Sequence, residues 1–299
     1  MNTKTLLVIF AHPDDESHGP AGTLAKYAAE GVRVHYLCAT RGESGMVDSR
    51  FLTNGNSVAE LRTAELNQAA ATLGLASVNF LGYRDSGMPG SPDNTHPHSL
   101  CAAPLDDVAA TIAAHIRRLR PDAIITHDQY GWYGHPDHIK CYAATLRAYE
   151  LLYGLRVGDA EAYAVNAPRL YVSTFSKAML KVAVRVMPLF GLDPRRHGQN
   201  QDIDLVEIAS WNIPTTASIR VGAYLTTKDR AKAAHASQKP LTQTKRRWLR
   251  AIMRRTEAAE AFSRLYPPVA PGEATERSLF ETTPQPVWNP TIHELPYPV

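Results

Sequence analysis

The sequence is short of cysteine, of long apolar runs and of any excess of one charge. Its three cysteines, Cys38, Cys101 and Cys141, lie far apart among 299 residues, and none belongs to a Cys-x-x-Cys pair. A disulfide framework and a thiolate zinc site therefore have no support, and a reducing cytoplasm is the expected setting. The opening apolar run, Leu6 to Ala11, is far shorter than a membrane span and has no cleavage pattern behind it, so neither export nor a membrane anchor is expected. Lysine and arginine outnumber aspartate and glutamate by only 32 to 29, a net charge of +3. The one basic concentration, Lys245-Arg246-Arg247 with Arg250, Arg254 and Arg255, has no recognition motif beside it and reads as a solvated helix face. No nucleic-acid partner is expected. No Gly-x-Gly-x-x-Gly follows the first apolar run, which argues against a dinucleotide, because a pyrophosphate needs close backbone approach there.

What is present alternates between two apolar patterns. Short runs rich in β-branched and aromatic residues, Leu6 to Phe10, Val32 to Cys38, Val78 to Leu81, Ala123 to Thr126 and Leu170 to Thr174, read as strands. Between them, helical spacing appears at Ala21, Leu24, Ala25 and Ala28, at Leu66, Ala69, Ala70 and Leu73, at Leu105, Val108, Ala109 and Ile112, and at Ile139, Tyr142, Ala143 and Leu146. Strand and helix in alternation imply an α/β fold: a doubly wound, mostly parallel, Rossmann-like sheet with right-handed crossovers. We expect one unit over residues 1–299, with a core at 1–175 and an irregular C-terminal extension at 176–299 that completes a substrate pocket. Lys177 to Leu192 reads as an amphipathic helix or a flap, and the proline-rich stretch from Tyr266 as an extended tail that packs or a segment that stays mobile.

Ligands in such folds bind beyond the carboxyl ends of the strands. There the sequence is rich in charge: His12-Pro13-Asp14-Asp15-Glu16, Arg41-Gly42-Glu43, Arg84-Asp85-Ser86-Gly87 and His127-Asp128. A second histidine-carboxylate cluster, His135-Pro136-Asp137-His138, opens a helix near Pro136. Imidazole with carboxylate suits Zn²⁺ or a similar divalent ion, and three protein ligands with one open position make a hydrolytic site. The plainer reading of each cluster is helix capping and dipole compensation. Two such clusters at one sheet edge outweigh it, since packing rarely requires both.

These two motifs resemble the signatures of the LmbE-like (PIG-L) zinc-dependent N-deacetylases, a family that includes mycothiol deacetylases and mycothiol conjugate amidases. Thr40-Arg41-Gly42-Glu43, Arg62 with Glu65, Arg84 to Met88, Tyr133-Gly134 and His235-Ala236-Ser237-Gln238 add to the likeness, which covers about residues 5 to 150 and thins beyond. The resemblance implies metal ligands at His12, Asp15 and His138, one Zn²⁺ per chain with Fe²⁺ as the other candidate, and Asp14 as general base. It implies His135 and Tyr133 as donors to the developing oxyanion, with Asp137 orienting His135 and favouring its cationic form. Adjacent carboxylates point in different directions, so one can hold an ion while the other takes a proton from the attacking water.

Substrate contacts are expected from Arg62, Asp85 and Glu43. The plainer readings are a surface ion pair of Arg62 with Glu65, a turn at Asp-Ser-Gly, and a pairing of Glu43 with Arg41. Tyr83, Trp132 and Met88 read as walls for a sugar ring or as ordinary packing, and His18, His96, His98 and His197 receive no role. The implied activity is removal of an N-acetyl group from an N-acetylglucosaminyl conjugate such as N-acetylglucosaminyl inositol, a small-molecule amino-sugar amide. Competing readings are an amidase on a thiol conjugate of the same sugar, a non-catalytic sugar-phosphate or nucleotide-binding protein, and a metallophosphoesterase; the last needs two metals and more ligands than this edge offers. A homo-oligomer is compatible with the sequence.

Overall fold

The computed structural model describes residues 3–52, 55–157, 164, 166–175, 177–197, 201, 203–238 and 257–281. Strands β1 (Thr5–Phe10), β2 (Arg33–Cys38), β3 (Ser77–Phe80), β4 (Ala123–Thr126), β5 (Arg169–Thr174), β6 (Ala217–Arg220) and β7 (Ala259–Tyr266) form one sheet in the order β3-β2-β1-β4-β5-β7-β6. The first five are parallel neighbours; β7 runs antiparallel to both β5 and β6. The order reverses at β1, and the β1/β4 boundary is the switch point at which an open α/β sheet leaves a crevice.

Helices α1 (Asp15–His18), α2 (Ala21–Ala29), α3 (Val58–Leu73), α4 (Leu105–Leu119), the single turn α5 (Gly131–Gly134), α6 (Pro136–Tyr153), α7 (Lys177–Val186), α8 (Leu205–Ser210) and α9 (Leu225–Ala234) connect them. Alternation along β1 divides the core into two layers. Leu6, Val8 and Phe10 pack with α2, α3 and α9 on one face, whereas Leu7 and Ile9 pack with α4 and α6 on the other. A sheet buried on both faces explains why β1 is apolar throughout and does not alternate with polar residues.

The five anticipated strands lie within a residue of their expected bounds. The apolar stripes of α2, α3 and α4 also face the core, apart from partly exposed Ala28 and exposed Leu105. α6 differs. Its buried face carries Asp137, His138, Cys141, Ala144, Thr145, Ala148 and Tyr149, while Ile139 is exposed and Tyr142, Ala143 and Leu146 are only partly buried. The helix is rotated relative to its apolar stripe because its first turn must aim His138 inward. The C-terminal part is more regular than expected, since β7 and β6 extend the sheet and α9 packs on one of its faces. The chain after Tyr266 packs as far as Leu279, which is buried and donates its amide to the Tyr27 hydroxyl at 2.8 Å. The basic stretch at Lys245 to Arg255 lies outside the described residues, as does the tail from 282. Among the described residues no helix is long and apolar enough to cross a membrane.

Candidate active site

The chain leaves β1 buried and immediately turns. Asp14 adopts φ 119°, a left-handed conformation rare for a residue with a side chain. Three contacts hold it there. The Asp14 amide donates to Glu16 at 3.0 Å, and Arg62 from α3 reaches in to donate to the Pro13 carbonyl at 2.6 Å and to lie 3.2 Å from Asp14 Oδ1. The same guanidinium donates to the Gly42 carbonyl at 3.1 Å. Gly42 sits at φ 72°, and a Cβ there would overlap the guanidinium, so the position requires glycine. Arg62 is buried, and Glu65 turns instead to the amide and hydroxyl of Ser237 at 2.8 and 2.7 Å. The surface pair between Arg62 and Glu65 does not form.

His12, Asp15 and His138 converge. His12 Nδ1 lies 3.2 Å from His138 Nε2 and 3.7 Å from Asp15 Oδ2, and His138 Nε2 lies 3.4 Å from Asp15 Oδ1. Ligands about 2.0–2.1 Å from a shared tetrahedral Zn²⁺ stand about 3.3–3.5 Å apart; the His12–His138 and His138–Asp15 separations are close to that spacing, while Asp15 turns its other oxygen, Oδ2, toward His12. The far ring nitrogens fit as well. His12 Nε2 is held by Asp137 Oδ2 at 3.2 Å, and His138 Nδ1 by the Gly131 carbonyl at 3.2 Å. A carboxylate or carbonyl behind each ring frees the other nitrogen to ligate, the usual backing of metal-bound histidine. Burial works against a charge on His12, yet Asp85, Asp137 and Asp15 outweigh it and raise its pKa well above the ordinary value. The charge that draws a proton there equally favours a divalent cation. Asp15 is held well below the ordinary carboxylate range, because His138 and His127 overcome the opposing effect of burial.

Asp14 is pushed the other way. Burial raises its carboxyl, the nearby Arg62 opposes this, and the Asp15 charge adds to it. The two neighbouring carboxylates thus differ in basicity as well as direction.

The remaining expected residues fall into two groups. Tyr133, His135, Arg62 and Asp85 line, with His12 and Asp14, a cavity of about 780 Å³. Asp85 accepts the Gly87 amide at 2.8 Å, so its turn forms, and its Oδ1 still lies 3.4 Å from His12 Nε2. Asp137 and Glu43 are set behind the wall. The Asp137 carboxylate accepts the Ser86 amide at 2.9 Å and the Ser86 hydroxyl, and backs His12; it does not hold the His135 ring as expected. His135 instead caps α6, its Nδ1 accepting the Asp137 amide at 3.2 Å. Nor is His135 favoured as a cation: burial, then His12 and His138, push its pKa down. With Nδ1 accepting the Asp137 amide, the neutral ring carries its proton on Nε2. Glu43 accepts the amides of Arg41 and Asp85 at 3.2 and 3.0 Å and braces two loops. Met88 lines the cavity, whereas Tyr83 and Trp132 pack on the two cores.

Three participants had no assigned role in the sequence reading. His127, at the end of β4, stacks on His138 with ring centroids 3.8 Å apart and lies 3.4 Å from Asp15 Oδ2. Burial, then His138, lower its pKa to about 3, so it is neutral. Glu16 and His235, both fully enclosed, meet at 2.7 Å across 219 positions of sequence. That pair ties the β1 turn to the end of α9, beside Ser237 and Gln238, which line the cavity. A histidine at a strand end was visible in the sequence, but its partner lay more than a hundred residues away.

Residues 7–149 match the family model described as GlcNAc-PI de-N-acetylase. Over 279 residues the chain is 34% identical to the 1D-myo-inositol 2-acetamido-2-deoxy-alpha-D-glucopyranoside deacetylase of Thermobifida fusca, covering 90% of this chain and 95% of that one. The chain belongs to the GlcNAc-PI de-N-acetylase (PIG-L) family. The matched span 7–149 contains both histidine-carboxylate clusters that meet at the crevice. Among solved structures, the fold matches N,N'-diacetylchitobiose deacetylase from Pyrococcus horikoshii with a TM-score of 0.56 and 21% identity, over 88% of this chain and 84% of that one. It matches GalB, the 4-carboxy-2-hydroxymuconate hydratase of Pseudomonas putida, equally well (TM-score 0.56, 20% identity, 91% and 100% coverage). The PIG-L fold therefore carries more than one reaction, and function must be argued from side chains.

Proposed function

We propose that this protein is a Zn²⁺-dependent N-deacetylase that hydrolyses the acetamide of an N-acetylglucosaminyl conjugate, with N-acetylglucosaminyl inositol the first candidate and one ion per chain. The observation that carries this reading is the convergence of His12, Asp15 and His138 within 3.2–3.7 Å, with Asp14 left outside the ligand set and facing the cavity. His12 Nδ1, Asp15 and His138 Nε2 would hold the ion. When bound, it acidifies water and polarises the amide carbonyl.

The chain supplies the rest. Asp14 accepts the proton of the attacking water, and its raised pKa gives it more basicity than an ordinary aspartate. As the carbonyl carbon becomes tetrahedral, its oxygen gains negative charge, and the Tyr133 hydroxyl and His135 Nε2–H are the donors available to it. Burial keeps Tyr133 protonated by raising its pKa well above the ordinary value, so it remains a donor at any physiological pH. The C–N bond then breaks, the leaving nitrogen takes a proton, and acetate and free amine depart. Asp85 and Arg62 would position the sugar. Ser237 and Gln238, from the far end of the chain, complete the wall, in keeping with residues 1–299 working as one unit. The same chemistry suits Fe²⁺, so metal identity is left to titration.

The test is incubation of purified protein with N-acetylglucosaminyl inositol and measurement of free amine with a fluorogenic reagent. Amine release that a chelator abolishes and Zn²⁺ restores is expected; release no greater than from a metal-stripped control would remove the substrate claim.

A further inference from the structure

Among the described residues, five of the eleven exposed large hydrophobic residues fall within eleven consecutive positions: Val182, Val186, Leu189, Phe190 and Leu192. Leu189 and Phe190 are 81% and 72% exposed. Val182 and Val186 share a face of α7 at i, i+4, and Leu189 and Phe190 follow in the more tightly wound 3₁₀ turn Met187–Phe190, so the exposed residues form one apolar stripe along the segment. Lys181 and Arg185, one helical turn apart, flank it; of the other basic side chains in residues 177–197, Arg195 is paired with Asp204 at 2.9 Å. The segment is anchored at its start. Lys177 donates to the Trp211 carbonyl at 2.8 Å, and its ammonium lies 5.4–5.8 Å from the rings of Trp211, Tyr130 and Phe175. That clamp fastens α7 beside the loop that leads from Tyr130 into Tyr133 and His135.

We propose that this face is a peripheral docking surface for an anionic lipid bilayer. Charge favours a bilayer over a second copy of the chain, because a two-fold contact across the stripe would bring Lys181 and Arg185 of one copy toward those of another. A lipid headgroup layer needs no matched relief, takes Leu and Phe into its boundary region and attracts the flanking cations. This contact needs no spanning segment, and it stands apart from the reaction proposed above, because no residue in it lines the cavity.

The experiment is vesicle flotation of the full chain, with phosphatidylcholine alone and with about one third phosphatidylglycerol. Binding to the anionic vesicles only is expected, reduced about tenfold or more by high salt and by either Leu189→Asp with Phe190→Asp or Lys181→Glu with Arg185→Glu. Both double variants should keep the wild-type melting temperature and the wild-type rate on a soluble substrate. Absence of binding to anionic vesicles, or wild-type binding by both double variants, would overturn the proposal. So would light scattering that finds a wild-type dimer made monomeric by the Asp pair, which would give the stripe to a second copy.

Discussion

Asp14→Asn separates chemistry from structure at this site. Asparagine tolerates positive φ about as well as aspartate, so the turn at φ 119° survives, and the backbone amide still donates to Glu16. Its amide oxygen can accept from Arg62 where Asp14 Oδ1 stands 3.2 Å away. What disappears is the charge on that hydrogen bond, worth about 1–2 kcal/mol for a side chain that keeps a fifth of its surface exposed. A folded domain withstands that. The ligands His12, Asp15 and His138 are unchanged, so metal content should stay at wild-type stoichiometry by elemental analysis. The reaction loses its proton acceptor, and kcat should fall about a hundred- to ten-thousandfold, equivalent to about 3–5 kcal/mol of barrier. A variant that keeps its metal and turns over within about threefold of wild type would refute Asp14 as the base. One that loses its metal would show that Asp14, not Asp15, belongs to the ligand set.

Further outcomes follow from the same contacts. Arg62→Met removes the cation that opposes the rise in the Asp14 pKa, so the acid limb of kcat/KM should move to higher pH, because a protonated Asp14 cannot accept; an unmoved limb would contradict the assignment. His235→Ala leaves Glu16 enclosed without its 2.7 Å partner and should cost about 3–5 kcal/mol in denaturant unfolding. His235→Gln, which returns an N–H near Nε2, should recover much of that, and equal losses would show that the pair contributes packing alone. His127 has a folded pKa near 3 against an unfolded value near 6.5. The unfolded chain therefore binds its proton first, and stability present above about pH 6.5 is lost as pH falls toward 3. Unfolding at pH 7 and pH 5 should show a steeper loss in wild type than in His127→Asn, and identical slopes would refute the neutral assignment.

Where local pattern and tertiary demand agree, the sequence was readable. β1 to β5 carry β-branched and apolar runs in a fully buried sheet, and both histidine-carboxylate clusters are contiguous in sequence. β7 escaped notice because Ala-Glu-Ala-Phe-Ser-Arg-Leu-Tyr has little strand propensity; its place between β5 and β6 imposes the extended form. Arg62 and Glu65 have helical surface-pair spacing, yet the β1 turn claims one and Ser237 the other. The resemblance implied that Asp137 orients His135, two residues away. The ring it backs is His12, 125 positions away. The Glu16 to His235 pair has no local signature at all, since each residue alone is an ordinary polar side chain.

The decisive measurement is a crystal structure of zinc-loaded protein with anomalous data collected at the zinc edge. Expected is one strong peak per chain, about 2.0–2.2 Å from His12 Nδ1, His138 Nε2 and an Asp15 oxygen, with Asp14 outside the coordination sphere. A peak bound elsewhere, or one that touches only one of the two histidines, would contradict the central claim.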